Sequence, residues 1–91
     1  MAYTIHTTNK YEKSVERCKR RGLPTDALRT VLSLLSRDGT LPLKYRPHKL
    51  SGKYANCWEC HIQPDWLLIW RQNDTELILL LVDTGSHSDL F

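Results

Sequence analysis

The chain has no run of about 18 apolar residues, so no segment is expected to span a membrane. Its three cysteines, Cys18, Cys57 and Cys60, are odd in number and too few for a disulfide scaffold, and they read as reduced thiols. The start, Met1-Ala2-Tyr3-Thr4-Ile5-His6, lacks the charged opening and apolar stretch of a secretory signal. A cytoplasmic protein is the expectation. No repeat, linker or low-complexity segment divides the 91 residues, which suffice for one domain, 1–91. Hydrophobic residues at 41% and charged residues at 25% fit an ordinary globular chain.

Acidic residues are scarce in the front half. Residues 1–50 hold 11 Lys/Arg against 4 Asp/Glu, whereas residues 51–91 hold 2 against 6. The two halves therefore carry +7 and −4. A basic half suits a polyanionic partner, since neutralising phosphates releases counterions; a solvated helix face explains the same charge equally well.

Residues 2–7 alternate, with Tyr3 and Ile5 on one side, and predict a first strand. Asn9-x-x-Glu12 reads as a capping box opening a helix whose narrow stripe is Tyr11, Val15 and Cys18. Lys10, Lys13, Arg17, Lys19, Arg20 and Arg21 cover its other faces, and Gly22 ends it. Thr25 is placed to cap a second helix, which buries Leu28, Val31, Leu32 and Leu35 and stops at Asp38-Gly39. Residues 40–53 read as a long basic loop, of the kind that often carries function.

From Tyr54 the pattern turns to β. Residues 54–62 alternate, sending Tyr54, Asn56, Trp58, Cys60 and Ile62 one way and Ala55, Cys57, Glu59 and His61 the other. Gln63-Pro64-Asp65 breaks the run; residues 66–71 and 77–82 then predict two strands apolar enough to be buried on both faces. The order β-α-α-β-β-β predicts a two-layer α+β domain, a helix hairpin laid on a mainly antiparallel sheet.

His48 in the basic loop, His61 at a strand end, Asp65 at the next strand's start and His87 in the tail are placed to converge on one sheet edge. RNA cleavage by transesterification needs a base for the 2′-hydroxyl, cations for the phosphorane and an acid for the leaving 5′-oxygen. Histidine suits both proton transfers because its ordinary pKa of about 6.5 lies near working pH. Arg46, Lys49 and Lys53 are candidate phosphate contacts, and Trp66 or Phe91 a candidate base-stacking surface. This chemistry requires no metal or other cofactor.

The segments Tyr45-Arg46-Pro47-His48-Lys49-Leu50, His61-Ile62-Gln63-Pro64-Asp65-Trp66-Leu67-Leu68-Ile69-Trp70 and Thr84-Gly85-Ser86-His87-Ser88-Asp89-Leu90-Phe91 closely resemble the YafQ-like branch of the RelE/ParE toxin superfamily. The resemblance spans nearly the whole chain; the two longer segments are specific and the helical part is generic. It implies a toxin of a bacterial toxin–antitoxin pair, an mRNA interferase cutting messenger RNA in the ribosomal A site without metal. It also implies a cognate antitoxin that wraps the toxin, and an operator DNA bound by the two together. The family's functional positions fall on His48, His61, Asp65, His87 and Phe91. In that carry-over His87 is the general acid, and Asp65 is the base or tunes a histidine base. His48 and His61 steady the phosphorane, and Phe91 positions the base or the scissile phosphate. Lys13, Arg17 and Arg20 form a basic surface for antitoxin or ribosomal RNA.

Other readings carry less weight. Cys57-x-x-Cys60-His61 matches a c-type haem attachment pattern, but that chemistry follows export. A redox dithiol is disfavoured because strand geometry puts the two sulfurs on opposite faces, and packing is the favoured reading. A zinc site from His48, His61, His87 and Asp65 matches no zinc spacing and lies in basic surroundings. A gyrase-inhibiting ParE-like toxin shares the fold but lacks the histidine cluster. A plain basic RNA-binding module needs only the front half.

Overall fold

Two strands too apolar to face water on either side set the architecture of the computed structural model, which describes residues 2–91. They are β4 (Trp66–Asn73) and β5 (Ile78–Gly85), paired antiparallel at the middle of a five-stranded sheet. Around them lie β1 (Thr4–Thr7), β2 (His48–Lys49) and β3 (Trp58–Gln63), in the order β1-β5-β4-β3-β2. Only β1 runs parallel to its neighbour, β5. Helices α1 (Asn9–Arg20) and α2 (Thr25–Asp38) cover one face, and a short helix α3 (His87–Leu90) closes the tail. The expected two-layer α+β order is present, with β2 and α3 in addition.

Several local expectations are corrected. Thr8, not Asn9, caps α1: its hydroxyl accepts from Tyr11 N at 3.0 Å and donates to Val82 O at 2.9 Å. One threonine thus starts the helix and ties it to β5. Thr25 is the first residue of α2, and Pro24 occupies the cap position without a side-chain bond. The basic loop contains two 3₁₀ turns, Leu43–Tyr45 and Gly52–Tyr54, and the strand β2 between them. Consequently β3 starts at Trp58 rather than Tyr54.

The sheet's two faces differ. Toward the helices, Val31, Leu35, Cys60, Leu68, Leu79 and Leu81 are all but inaccessible, and Trp58 stacks on Trp70. Each such side chain contributes about 1.5–3 kcal/mol on burial. Gly39, at φ 69°, ends α2 where an added Cβ would stand 2.6 Å from the Tyr3 ring. The opposite face has a smaller cluster, Tyr54, Cys57, Leu67, Ile69 and Leu90, roofed by the turn before β3 and by α3. Cys57 and Cys60 do fall on opposite faces, both as free thiols. Burial pushes the Cys60 thiol up to about 12, so it stays protonated and packs as an apolar group. Among the described residues no helix is long and apolar enough to cross a membrane.

Candidate active site

Three histidines, His48, His61 and His87, stand in a row along the less covered face. Residue 48 pairs with residue 59 across β2 and β3, and residue 61 pairs with Leu67 at the start of β4. A register shift after His61 sets Gln63 opposite Trp66, and Pro64-Asp65 turns the chain into β4. β5 returns to the same end and delivers His87 on the first residue of α3. Ring centroids are 6.4 Å apart for His48 and His61, and 5.8 Å for His61 and His87. The sheet thus brings together His48, His61, Asp65 and His87.

Hydrogen bonding separates their roles. His48 Nδ1 lies 2.8 Å from Arg46 O, and His61 Nδ1 lies 3.2 Å from Pro64 O. A carbonyl oxygen only accepts, so both Nδ1 atoms carry hydrogen. His48 Nε2 faces Glu59 Oε1 at 3.2 Å, leaving that ring with no open nitrogen. The Nε2 of His61 has no hydrogen-bond partner among the described residues. His87 Nδ1 lies 2.7 Å from Asp65 Oδ1, which also accepts from His87 N at 2.9 Å. These two bonds, the backbone one first, hold the Asp65 carboxyl below its ordinary range. Asp65 is therefore an ionised acceptor that fixes the His87 tautomer and leaves its Nε2 open. The site offers two open imidazole nitrogens, on His61 and His87.

Glu59 was not singled out by its sequence context. Its side chain is buried, its Oε1 faces His48 Nε2, and its Oε2 has no partner among the described residues. The signal lay in the alternation, since residues 59 and 61 share one face of β3. The main chain contributes as well: Arg46, at φ 50°, is in the left-handed region that non-glycine residues seldom occupy, and it is the residue whose carbonyl meets His48.

The remaining candidates divide. Phe91 is 64% exposed and meets Tyr54 edge-on at 5.6 Å, an open aromatic face on a rigid backing. Arg46, Lys49 and Lys53 are exposed, with Lys49 over the Trp58 ring and Lys53 over Tyr54. Beside His61 lies a basic recess of about 410 Å³, lined by Lys44, Tyr45, Arg46 and Gln63 among others. Trp66 leaves the RNA-contact set: it is 2% exposed, and its indole N–H donates to Thr84 Oγ1. Lys13 and Arg20 are exposed on α1, but Arg17 is half-buried and turned to Asp89 at 3.7 Å. Among the described residues no three His, Cys, Asp or Glu side chains converge as a metal-ligand set.

The sequence model of a family described as "Bacterial toxin of type II toxin-antitoxin system, YafQ" matches residues 3–91. The mRNA interferase toxin YafQ of Escherichia coli K12 is 33% identical over 96% of this chain and 94% of its own. The toxin in the E. coli DinJ–YafQ toxin–antitoxin complex superposes with a TM-score of 0.89, at 29% identity, covering 100% of this chain and 99% of that one. A metal-bound toxin from Helicobacter pylori superposes with a TM-score of 0.87, at 35% identity and full coverage of both chains.

Proposed function

We propose that this chain, which belongs to the YafQ family of toxins of bacterial type II toxin–antitoxin systems and is an mRNA interferase, cuts its message by acid–base catalysis between His61 and His87. Membership of an endoribonuclease family sets aside the gyrase-inhibitor and plain binding readings. The observation that carries the mechanism is the His87–Asp65 pair, 2.7 Å across, with His87 Nε2 left open beside the His61 ring.

In this reading His61 Nε2 takes the proton of the 2′-hydroxyl, and the O2′ attacks phosphorus. The P–O5′ bond breaks as His87 Nε2–H protonates the leaving oxygen. The products are a 2′,3′-cyclic phosphate and a 5′-hydroxyl. Asp65 stabilises the charged form of His87 in preparation for that transfer and is itself no base. His48, held by Glu59 and the Arg46 carbonyl, joins Arg46, Lys49 and Lys53 in facing the phosphorane charge. Phe91 stacks on a base next to the scissile phosphate. Each step falls to a side chain already in the row.

Three wider expectations belong to the same proposal. The message is cut on the ribosome, with exposed basic residues of α1 and the loop against ribosomal RNA. A cognate antitoxin silences the toxin in the cytoplasm, as DinJ forms a complex with the E. coli relative. The complex represses its own operator.

The test incubates purified protein and His87→Ala with mRNA on programmed ribosomes, and with the same RNA free, the latter with and without EDTA. Wild type should cut the ribosome-bound message to fragments ending in 2′,3′-cyclic or 3′-phosphate. Any cutting of free RNA that survives EDTA would keep the chemistry and drop the ribosome requirement. The variant should cut roughly 10²–10⁴-fold more slowly. A folded His87→Ala protein that cuts at the wild-type rate would overturn the assignment.

A further inference from the structure

We infer that Asp89, clasped by Arg21, is a positioning residue for the reaction, because the pair fixes the short helix that presents both the His87 imidazole and the Phe91 ring. The inference rests on the reading of His87 as the acid. A four-residue helix has too few internal bonds to hold itself in place, so its position must come from contacts outside it.

Three such contacts exist. Leu90 is buried in the smaller cluster, and Asp65 takes the backbone N–H and the ring of His87. Asp89 supplies the third. Its Oδ2 accepts from Ser86 N at 2.9 Å and closes a reciprocal capping box, while Ser86 Oγ accepts from Asp89 N at 3.1 Å. The same carboxylate meets both terminal nitrogens of Arg21, Nη1 to Oδ2 at 2.6 Å and Nη2 to Oδ1 at 3.0 Å. Arg17 adds a third nitrogen at 3.7 Å. Gly85 makes the seat: a Cβ there would stand 2.9 Å from Asp89 Cβ and 2.8 Å from its Oδ2.

The geometry favours positioning over stability. Leu90 already anchors the segment by burial, and an ion pair whose guanidinium is open to water contributes little to folding. A two-pronged guanidinium–carboxylate contact does restrict rotation, which a buried leucine alone does not. Arg21 sits at the C-cap of α1, and α1 is tied to β5 through Thr8, so the clasp refers the helix back to the sheet that carries His61. Misplacing a reacting group by about 1 Å is enough to cost on the order of 10²-fold in rate.

The experiment compares wild type, Arg21→Ala, Arg21→Lys and Asp89→Asn. Single-turnover cleavage should fall about 10–100-fold in Arg21→Ala, and added guanidinium should restore much of it. Arg21→Lys, with charge but no fork, should recover only part. Affinity for an uncleavable RNA carrying 2′-deoxyribose at the scissile position should change less than about threefold, and the melting temperature should hardly move. The ¹⁵N signals of the His87 ring should shift away from the Asp65-paired pattern. Unchanged rates and His87 signals, or a rate loss fully matched by lost RNA affinity or lost folding, would overturn the inference. A wild type that cuts no RNA would instead sink the nuclease reading, and the His87 signals would still decide whether the clasp holds that ring.

Discussion

The two faces of the sheet are built from alternate residues of the same strands yet carry opposite duties. On β3, Trp58, Cys60 and Ile62 enter the helix-covered core, while Glu59 and His61 stand on the other face with the reacting groups. One face is closed by two helices; the other is roofed only by a turn and a four-residue helix. Stability and chemistry are thereby kept on separate surfaces a single strand apart. A one-residue slip in β3 would exchange the two sets, so its pairing with β4 sets the site's geometry as well as the core.

That separation predicts substitutions that damage one property and spare the other. The largest effect belongs to His87→Ala: roughly 10²–10⁴-fold slower cleavage with the unfolding free energy within about 0.5 kcal/mol of wild type, read by single-turnover assay and denaturant melts. Next is Leu35→Ala, fully buried beneath the helices. It should cost about 2–5 kcal/mol while the remaining folded fraction cuts at the wild-type rate. A Leu35→Ala protein that was stable but slow would show that the two faces are not independent. Trp66→Phe probes the boundary between the faces, because this residue adjoins Asp65 in sequence yet packs in the helix-side core. Losing its buried bond to Thr84 should cost about 1–3 kcal/mol with no change in RNA affinity.

The sequence pattern shows where the row of histidines comes from better than how it is wired. Apolar runs in residues 66–71 and 77–82 announced central strands, and the alternation assigned both faces of β3 over residues 58–62. It did not assign Tyr54, which lies before the strand and packs in the smaller cluster opposite Trp58. Chain termini and short elements were harder. β2 is two residues long and exists through pairing with β3, which no local pattern encodes. α3 follows a capping box at Ser86 and Asp89 that only tertiary contact with Arg21 makes decisive. Trp66 looked available because it adjoins an exposed aspartate, yet a strand points neighbouring side chains to opposite faces. Arg17 looked solvated because the helix is basic outside its narrow apolar stripe, and only the docked tail shows its partner.

The smallest expected effect concerns acid, and it distinguishes the faces by their titration. On the helix side, burial pushes Tyr11 and Cys60 each up to about 12, so neither changes charge in acid. On the other side, the Arg21 guanidinium first and the Ser86 N–H second hold the Asp89 carboxyl well below its ordinary 3.8. A carboxylate depressed in the folded state stabilises the protein fully above its unfolded pKa. That contribution fades as pH falls from there through the lower folded value. The small melting-temperature gap between wild type and Asp89→Asn should therefore stay constant from about pH 8 to about pH 5 and close below about pH 4. Asp65 titrates in both proteins and drops out of the difference, leaving the clasp as its source. A gap that persists undiminished in strong acid would show that Asp89 acts through its shape in the capping box rather than through its charge on Arg21.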